Sequence, residues 1–233
     1  MKIKHYILLT FIVAAFGCKK DNYSAPTITL NGRLTYQGEA VNVEDNKVPF
    51  QLYQPGFGKT APISGTFAQD GSYSTLLFAG NYKFTIQANQ GPFRWKEVSA
   101  GKRDTVAINL TGNQTVDVEV QPFYMVRNAQ LTYAGGNVNA VFNIEKVITD
   151  ANARDIERVS LYINKTQYVS VADNTGATDL AGSSITSLNN IAMNVAVDAS
   201  KLSPGQNYVF ARVGIKIAGV EDMIFSPLVK LSL

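Results

Sequence analysis

Histidine and cysteine are almost missing from this chain of 233 residues. One of each occurs, His5 and Cys18, and both fall within the first eighteen positions. Without a histidine in the body of the chain, the commonest general base is gone, and with it Ser-His-Asp and Cys-His nucleophile machinery. Zinc and copper sites built from histidine and cysteine go too. Carboxylate chemistry and calcium held by oxygens are left. A lone cysteine makes no internal disulfide. An excess of one charge is also lacking: there are 21 basic and 18 acidic residues, and setting aside Lys2 and Lys4 of the leading segment leaves 19 against 18. That balance gives no sign of a nucleic-acid partner. The one long uncharged apolar run, Tyr6–Phe16, has eleven residues, and as a helix it spans only about half of the roughly 30 Å bilayer core. Glycine and proline number only 18 and 8, far from a disordered or collagen-like composition. Against these shortages stand 45% hydrophobic residues, enough for one large or two small cores.

Lys2 and Lys4 ahead of the apolar run are the basic and hydrophobic regions of a secretory signal, predicted over residues 1–17. Ala15-Phe16-Gly17 before Cys18 resembles a bacterial lipobox, in which the cysteine is lipidated and becomes the new N-terminus. The match departs from the usual pattern, which has leucine at Ala15 and a small residue at Phe16; lipoproteins of the Bacteroidetes tolerate such looseness. The resemblance implies lipidation at Cys18 and a short polar tether over residues 18–26, closed by Pro26. An ordinary secretory signal with a chance cysteine is the alternative. A multiply acylated cysteine holds a protein at a membrane durably, at roughly 0.8 kcal/mol per buried methylene. Lys19-Lys20-Asp21 resembles the charged signals that send such lipoproteins to the cell surface, so the expected location is the outer membrane, lipid-anchored and facing outward.

The rest of the chain reads as strands. Thr27–Leu34, Val48–Tyr53 and Tyr82–Ile86 alternate apolar and polar residues with period two, and Val106–Leu110 and Val116–Val120 add two more strands. Asp70-Gly71 between strand-like runs is a hairpin signal, because glycine accepts positive φ cheaply. Beyond Gln121-Pro122, strands are predicted over Ala140–Ile144, Val159–Ile163, Ile191–Val197 and Phe225–Leu233, with room for one helical turn between Asp150 and Glu157. No sustained helical stripe appears. The fold class is all-β: two consecutive β-sandwiches, residues 27–122 and 123–233.

Leu30-Asn31-Gly32-Arg33-Leu34, Phe67–Tyr73 and Ala79–Phe84 together resemble the transthyretin-like or carboxypeptidase-regulatory-like sandwich. Leu202–Val213 resembles the corner of fibronectin-type-III and immunoglobulin-like domains, which implies that Tyr208 bonds back to its preceding loop. The Cys-Trp-Cys pattern of true immunoglobulins is absent. Both halves together resemble a two-domain lipoprotein family of gut Bacteroidetes, often found with glycan-import systems.

Several segments invite chemistry. Pro55–Thr60 echoes a phosphate loop, but Tyr53 stands where a glycine is needed and Ala61-Pro62 opposes the required helix. What it offers instead is an exposed aromatic, Phe57, with Tyr53 nearby. Asp150, Asp155 and Glu157 cluster, and a glycoside hydrolase needs two carboxyls about 5 to 10 Å apart across a cleft; solvated surface charge is the simpler reading. Asp173–Asp179 lacks the spaced acids of a calcium loop and reads as a turn. Gly91–Lys96 is the most informative segment. In a strand, Phe93 and Trp95 share one face and Arg94 and Lys96 the other, so Trp95 could offer a sugar platform flanked by basic donors, or both aromatics could anchor the core. Asp104-Thr105-Val106 resembles the O-glycosylation acceptor tripeptide of exported Bacteroidetes proteins, with Thr105 as the acceptor; a plain strand start explains it equally.

The expected function is therefore non-catalytic. No cofactor or metal is expected. The partners implied are a membrane, through the anchor, and polysaccharide with an outer-membrane transporter complex. The chain would be an accessory lipoprotein that binds or positions glycan, or a structural lipoprotein that contacts envelope proteins without touching sugar.

Overall fold

In the computed structural model, residues 24–56, 61–95, 97–99 and 102–233 are described. Cys18, Phe57 and Lys96, named above, lie outside them. The chain is all-β, and its regular helix among the described residues amounts to two single 3-10 turns.

The first half is a sandwich. One sheet is centred on β1 (Ile28–Tyr36), which pairs antiparallel with Ser72–Leu77 and parallel with Gln114–Thr115 and Val118–Glu119. The other runs Val106–Leu110, Gly80–Thr85, Pro49–Tyr53, Pro62–Thr66, antiparallel throughout. Inward positions of both sheets meet in an aromatic cluster in which Phe50 stacks on Phe84 at 5.0 Å and meets the Tyr73 ring at a tilt, 5.1 Å away. Offset ring pairs of this kind add to the burial of their area. The Tyr73 hydroxyl donates to the Val116 carbonyl at 2.7 Å, and burial pushes its phenol well above its usual range.

Two details differ from the sequence reading. Val116–Val120 is not one strand: the ladder breaks where Asp117 Oδ1 accepts the Arg33 N–H at 3.0 Å, a side chain replacing a carbonyl. Gly32 is required beside it, because a Cβ there would stand 1.9 Å from the Val116 carbonyl oxygen. Asp70-Gly71 does form a turn, with Gly71 at φ +76°. The strands on its two sides lie in different sheets, so it is a corner between the layers and not a hairpin.

The second half is again two layers. Tyr124–Ala134, Asn137–Lys146 and Ile191–Ala196 form one sheet. In the other, β2 (Ile156–Asn164) and β3 (Tyr208–Ile217) pair centrally, with Gly176–Ala181 beside β2. The last strand is split into Ile224–Phe225 and Val229–Ser232, both pairing with β3. Pro227 explains the break, since it has no N–H to give to a ladder. Asp150–Glu157 carries no helix but one hydrogen-bonded turn, in which Ala153 N–H donates to the Asp150 carbonyl at 2.9 Å, and Glu157 already belongs to β2. The Tyr208 corner also departs from expectation. Its ring is capped by Lys230 Nζ at 4.0 Å, its hydroxyl makes no hydrogen bond among the described residues, and Gln206 ties the loop instead, to the carbonyls of Lys165 and Tyr208.

The two halves are joined by structure, not by a loose linker. Gln121–Pro122 pairs with Phe93–Arg94, and Phe123 N–H donates to Pro92. Buried side chains form one continuous apolar cluster from Leu30 through Val120 and Phe123 to Ile217.

Candidate functional site at the seam between the domains

The outer face of the sheet containing β2 and β3 is where the first domain sits. Tyr162, Phe210, Arg212 and Gly214 share that face, and Gly214 matters because a Cβ there would press to 2.7 Å from the Phe225 ring. Phe225 thus lies flat enough for the Arg212 guanidinium to stack on it at 3.7 Å. Arg212 is 1% exposed, and its Nη1 crosses the seam to the Val43 carbonyl at 3.0 Å while Nε donates to Val169 at 2.5 Å. Burial lowers its pKa to about 10, opposed by Glu44 and Asp45, so it stays a cation at neutral pH.

Further bonds fix the seam. Phe225 N–H donates to Asn42 at 3.0 Å and Gln69 Nε2 to Gln167 at 2.9 Å. Gly91 N–H donates to Asp222 Oδ2 at 2.7 Å, and burial raises the Asp222 carboxyl, offset in part by that bond. Arg127 reaches Glu39 of the first domain and Glu145 of the second.

One end of the seam opens as a cleft of about 410 Å³ between residues 89–95 and loop 151–154. Here the structure unites two segments that the sequence only suggested separately. Arg94 pairs with Asp150 at 3.5 Å, both side chains partly exposed. Arg154 Nη1 donates to Gly219 at 2.9 Å and its guanidinium lies 5.7 Å from the Phe123 ring. Phe93 and Trp95 line the cleft from the core side, with exposures of 4% and 6%. Trp95 packs on Phe84 at 6.5 Å and its Nε1 donates to the Asp104 carbonyl at 2.9 Å. Neither ring is an open platform: the core role is what the structure gives them, and the alternation of the segment leaves Arg94 outward.

Tyr53 is half-buried, its hydroxyl donating to Gln51 at 2.8 Å, away from this cleft. Thr105 is exposed at the start of Val106–Leu110. The acidic cluster does not form a carboxylate pair. Asp150 accepts the backbone and side-chain amides of Asn152, which hold its carboxyl below the usual range with Arg94 adding to this, so it stays ionised and is no proton donor. Glu157 pairs with Arg158 at 3.4 Å. Asp173 and Asn174 close a turn on Ser170, and no group of three potential metal ligands exists among the described residues.

Sequence reasoning missed Arg212, Gln69 and Asp222. One signal was available for Arg212: it is the single charge in the apolar stretch Tyr208–Ile215. Nothing local marks the other two.

Two consecutive sandwiches fused through a shared core, with a polar cleft at the seam, define a two-domain all-β protein. More narrowly, the chain belongs to the DUF3823 family. Residues 28–121 match the family described as "Protein of unknown function (DUF3823) N-terminal domain" and residues 124–230 the one described as "Domain of unknown function (DUF3823_C)". A DUF3823 family protein from Parabacteroides merdae is 33% identical, with a TM-score of 0.77 over 90% of this chain and all of its own. One from Bacteroides ovatus is 28% identical, with a TM-score of 0.78 over 89% of this chain and all of its own. A Bacteroides uniformis protein named "putative carbohydrate binding protein" is 16% identical and shares the fold, with a TM-score of 0.66 over 89% of this chain and all of its own. No curated protein matches the chain. None of these similarities points to a catalytic family.

Proposed function

We propose that this chain is a non-catalytic, lipid-anchored outer-membrane protein that binds or positions glycan for a polysaccharide uptake complex. The observation that carries the reading is the cleft at the seam. Arg94, Asn152 and Asn89 bring amide and guanidinium donors to one concave surface backed by the nearly buried rings of Phe93, Trp95 and Phe123. Carbohydrate recognition asks for such a mixture of directed polar groups and apolar floor. The name of the Bacteroides uniformis structural neighbour adds support at the level of the fold. Cys18 is the anchor in this proposal and Thr105 a site for O-linked sugar.

The test is affinity electrophoresis of the full chain in detergent micelles through gels containing single polysaccharides. Retardation by at least one, reduced in Arg94→Ala/Asn152→Ala, is the expected outcome. Mobility unchanged in every gel removes the reading. A second reading, an assembly protein of the envelope, is favoured by Leu76 and Phe78, which stand 59% and 45% exposed within three positions of each other. It predicts crosslinking to a transporter component through that edge without any glycan affinity.

A further inference from the structure

A second depression lies at the other end of the same seam. The loop at 151–154 precedes β2 and the loop at 167–168 follows it, so the nine residues of β2 set the two places roughly 30 Å apart. This depression, of about 450 Å³, shares no described residue with the first cleft. Its walls hold two side-chain atoms that are buried and have no hydrogen-bond partner among the described residues: Arg212 Nη2, a donor, and Gln69 Oε1, an acceptor. Leaving such groups unpaired costs about 1 to 3 kcal/mol each, yet both side chains are locked by their other bonds, Arg212 to Val43 and Val169, Gln69 to Gln167.

Tyr168 stands at the rim with 48% exposure, the most exposed aromatic of the second domain. Its backbone is fixed, since its carbonyl accepts Asn164 Nδ2 at 2.5 Å, so the ring is presented from a tied loop. Asp45 and Asp70 also line the depression. Their carboxylates oppose an anionic ligand, and the Arg212 cation at the floor opposes a cationic one.

We propose that this depression is a binding site for a neutral sugar unit. Ligand hydroxyls can accept from Arg212 Nη2 and donate to Gln69 Oε1, whereas a carboxylate has no proton to give and an ammonium no lone pair to offer. The Tyr168 ring covers the apolar face of the pyranose. The ligand class rests on the reading of the chain as a glycan binder; the site itself is separate from the cleft at Arg94.

The test is NMR of the full chain in detergent micelles, titrated with neutral maltohexaose, xylohexaose and mannohexaose and with anionic oligogalacturonate. The Gln69 side-chain amide and Arg212 Nε–H report this depression, and the Trp95 indole N–H reports the first cleft. Saturable shifts at Gln69 and Arg212 with a neutral oligosaccharide are expected. Tyr168→Ala, a surface change that leaves the fold intact, should weaken that binding about tenfold, and Gln69→Leu comparably. Shifts confined to Trp95 and its neighbours would overturn this inference and leave the proposed function standing, with water alone filling the depression. Shifts nowhere, with any probe, would overturn both. Stronger response to oligogalacturonate than to the neutral probes would overturn the site as assigned.

Discussion

At the scale of single residues, burial decides what each candidate does. Trp95 has the shape of a sugar platform in the sequence, but its ring rests on Phe84 and its N–H is spent on Asp104. Its emission should be blue-shifted and poorly quenched by acrylamide, and Trp95→Ala should cost about 3 to 5 kcal/mol in urea unfolding. A red-shifted, readily quenched spectrum would contradict the packing. Asp222 carries the opposite kind of information. Its carboxyl is raised in the folded state, so between the ordinary carboxylate value and the raised one the native state holds more protons than the unfolded chain. This group's contribution to stability therefore falls as pH rises through that window and is flat above it. Asp222→Asn keeps an acceptor for Gly91 N–H and should be more stable than the parent at neutral pH, because the fall in stability with rising pH across that window is removed. An unchanged pH profile of the melting temperature would mean the Asp222 charge is not desolvated.

At the scale of elements, alternation made most strands legible and special geometry did not. The runs at Thr27–Leu34, Tyr82–Ile86, Val106–Leu110 and Val159–Ile163 all appear as strands, because each has one face in the core. Splits were harder to foresee. Asp117 breaks one strand by offering its own oxygen to Arg33, and Pro227 breaks the last by lacking an N–H. Asp70-Gly71 gave its turn, while the choice of sheet for the strands on either side depends on partners distant in sequence. Gly71→Ala tests that corner: at φ +76° and 2.3 Å from the Val41 carbonyl, an added methyl should cost about 2 kcal/mol or more. Thermal denaturation showing no loss would contradict the close approach of Gly71 to Val41.

At the scale of the whole molecule, the seam is the feature that sequence could least reveal. Arg94 and Asp150 lie 56 positions apart in the sequence, yet their side chains pair at the seam. Gln69 and Arg212 are further apart still, and no periodicity relates them. The seam also makes a mechanical statement. With one apolar cluster running through both sandwiches and hydrogen bonds from the second domain reaching the backbone of Asn42, Val43 and Gly91, the domains should unfold together. Calorimetry should show a single transition, and Arg212→Met, which removes the cation but keeps most of the packing, should retain it. Two well-separated transitions would show that the halves are independent.

The central claim is that the seam between the two sandwiches is where this protein meets glycan. Its most direct test is a crystal structure of the protein grown with the oligosaccharide that slows it most in affinity electrophoresis. The account predicts sugar density between the domains, beside Arg94 and Asn152 or beside Tyr168 and Gln69. Density on the outer face of either sandwich, with both ends of the seam holding only water, would contradict it.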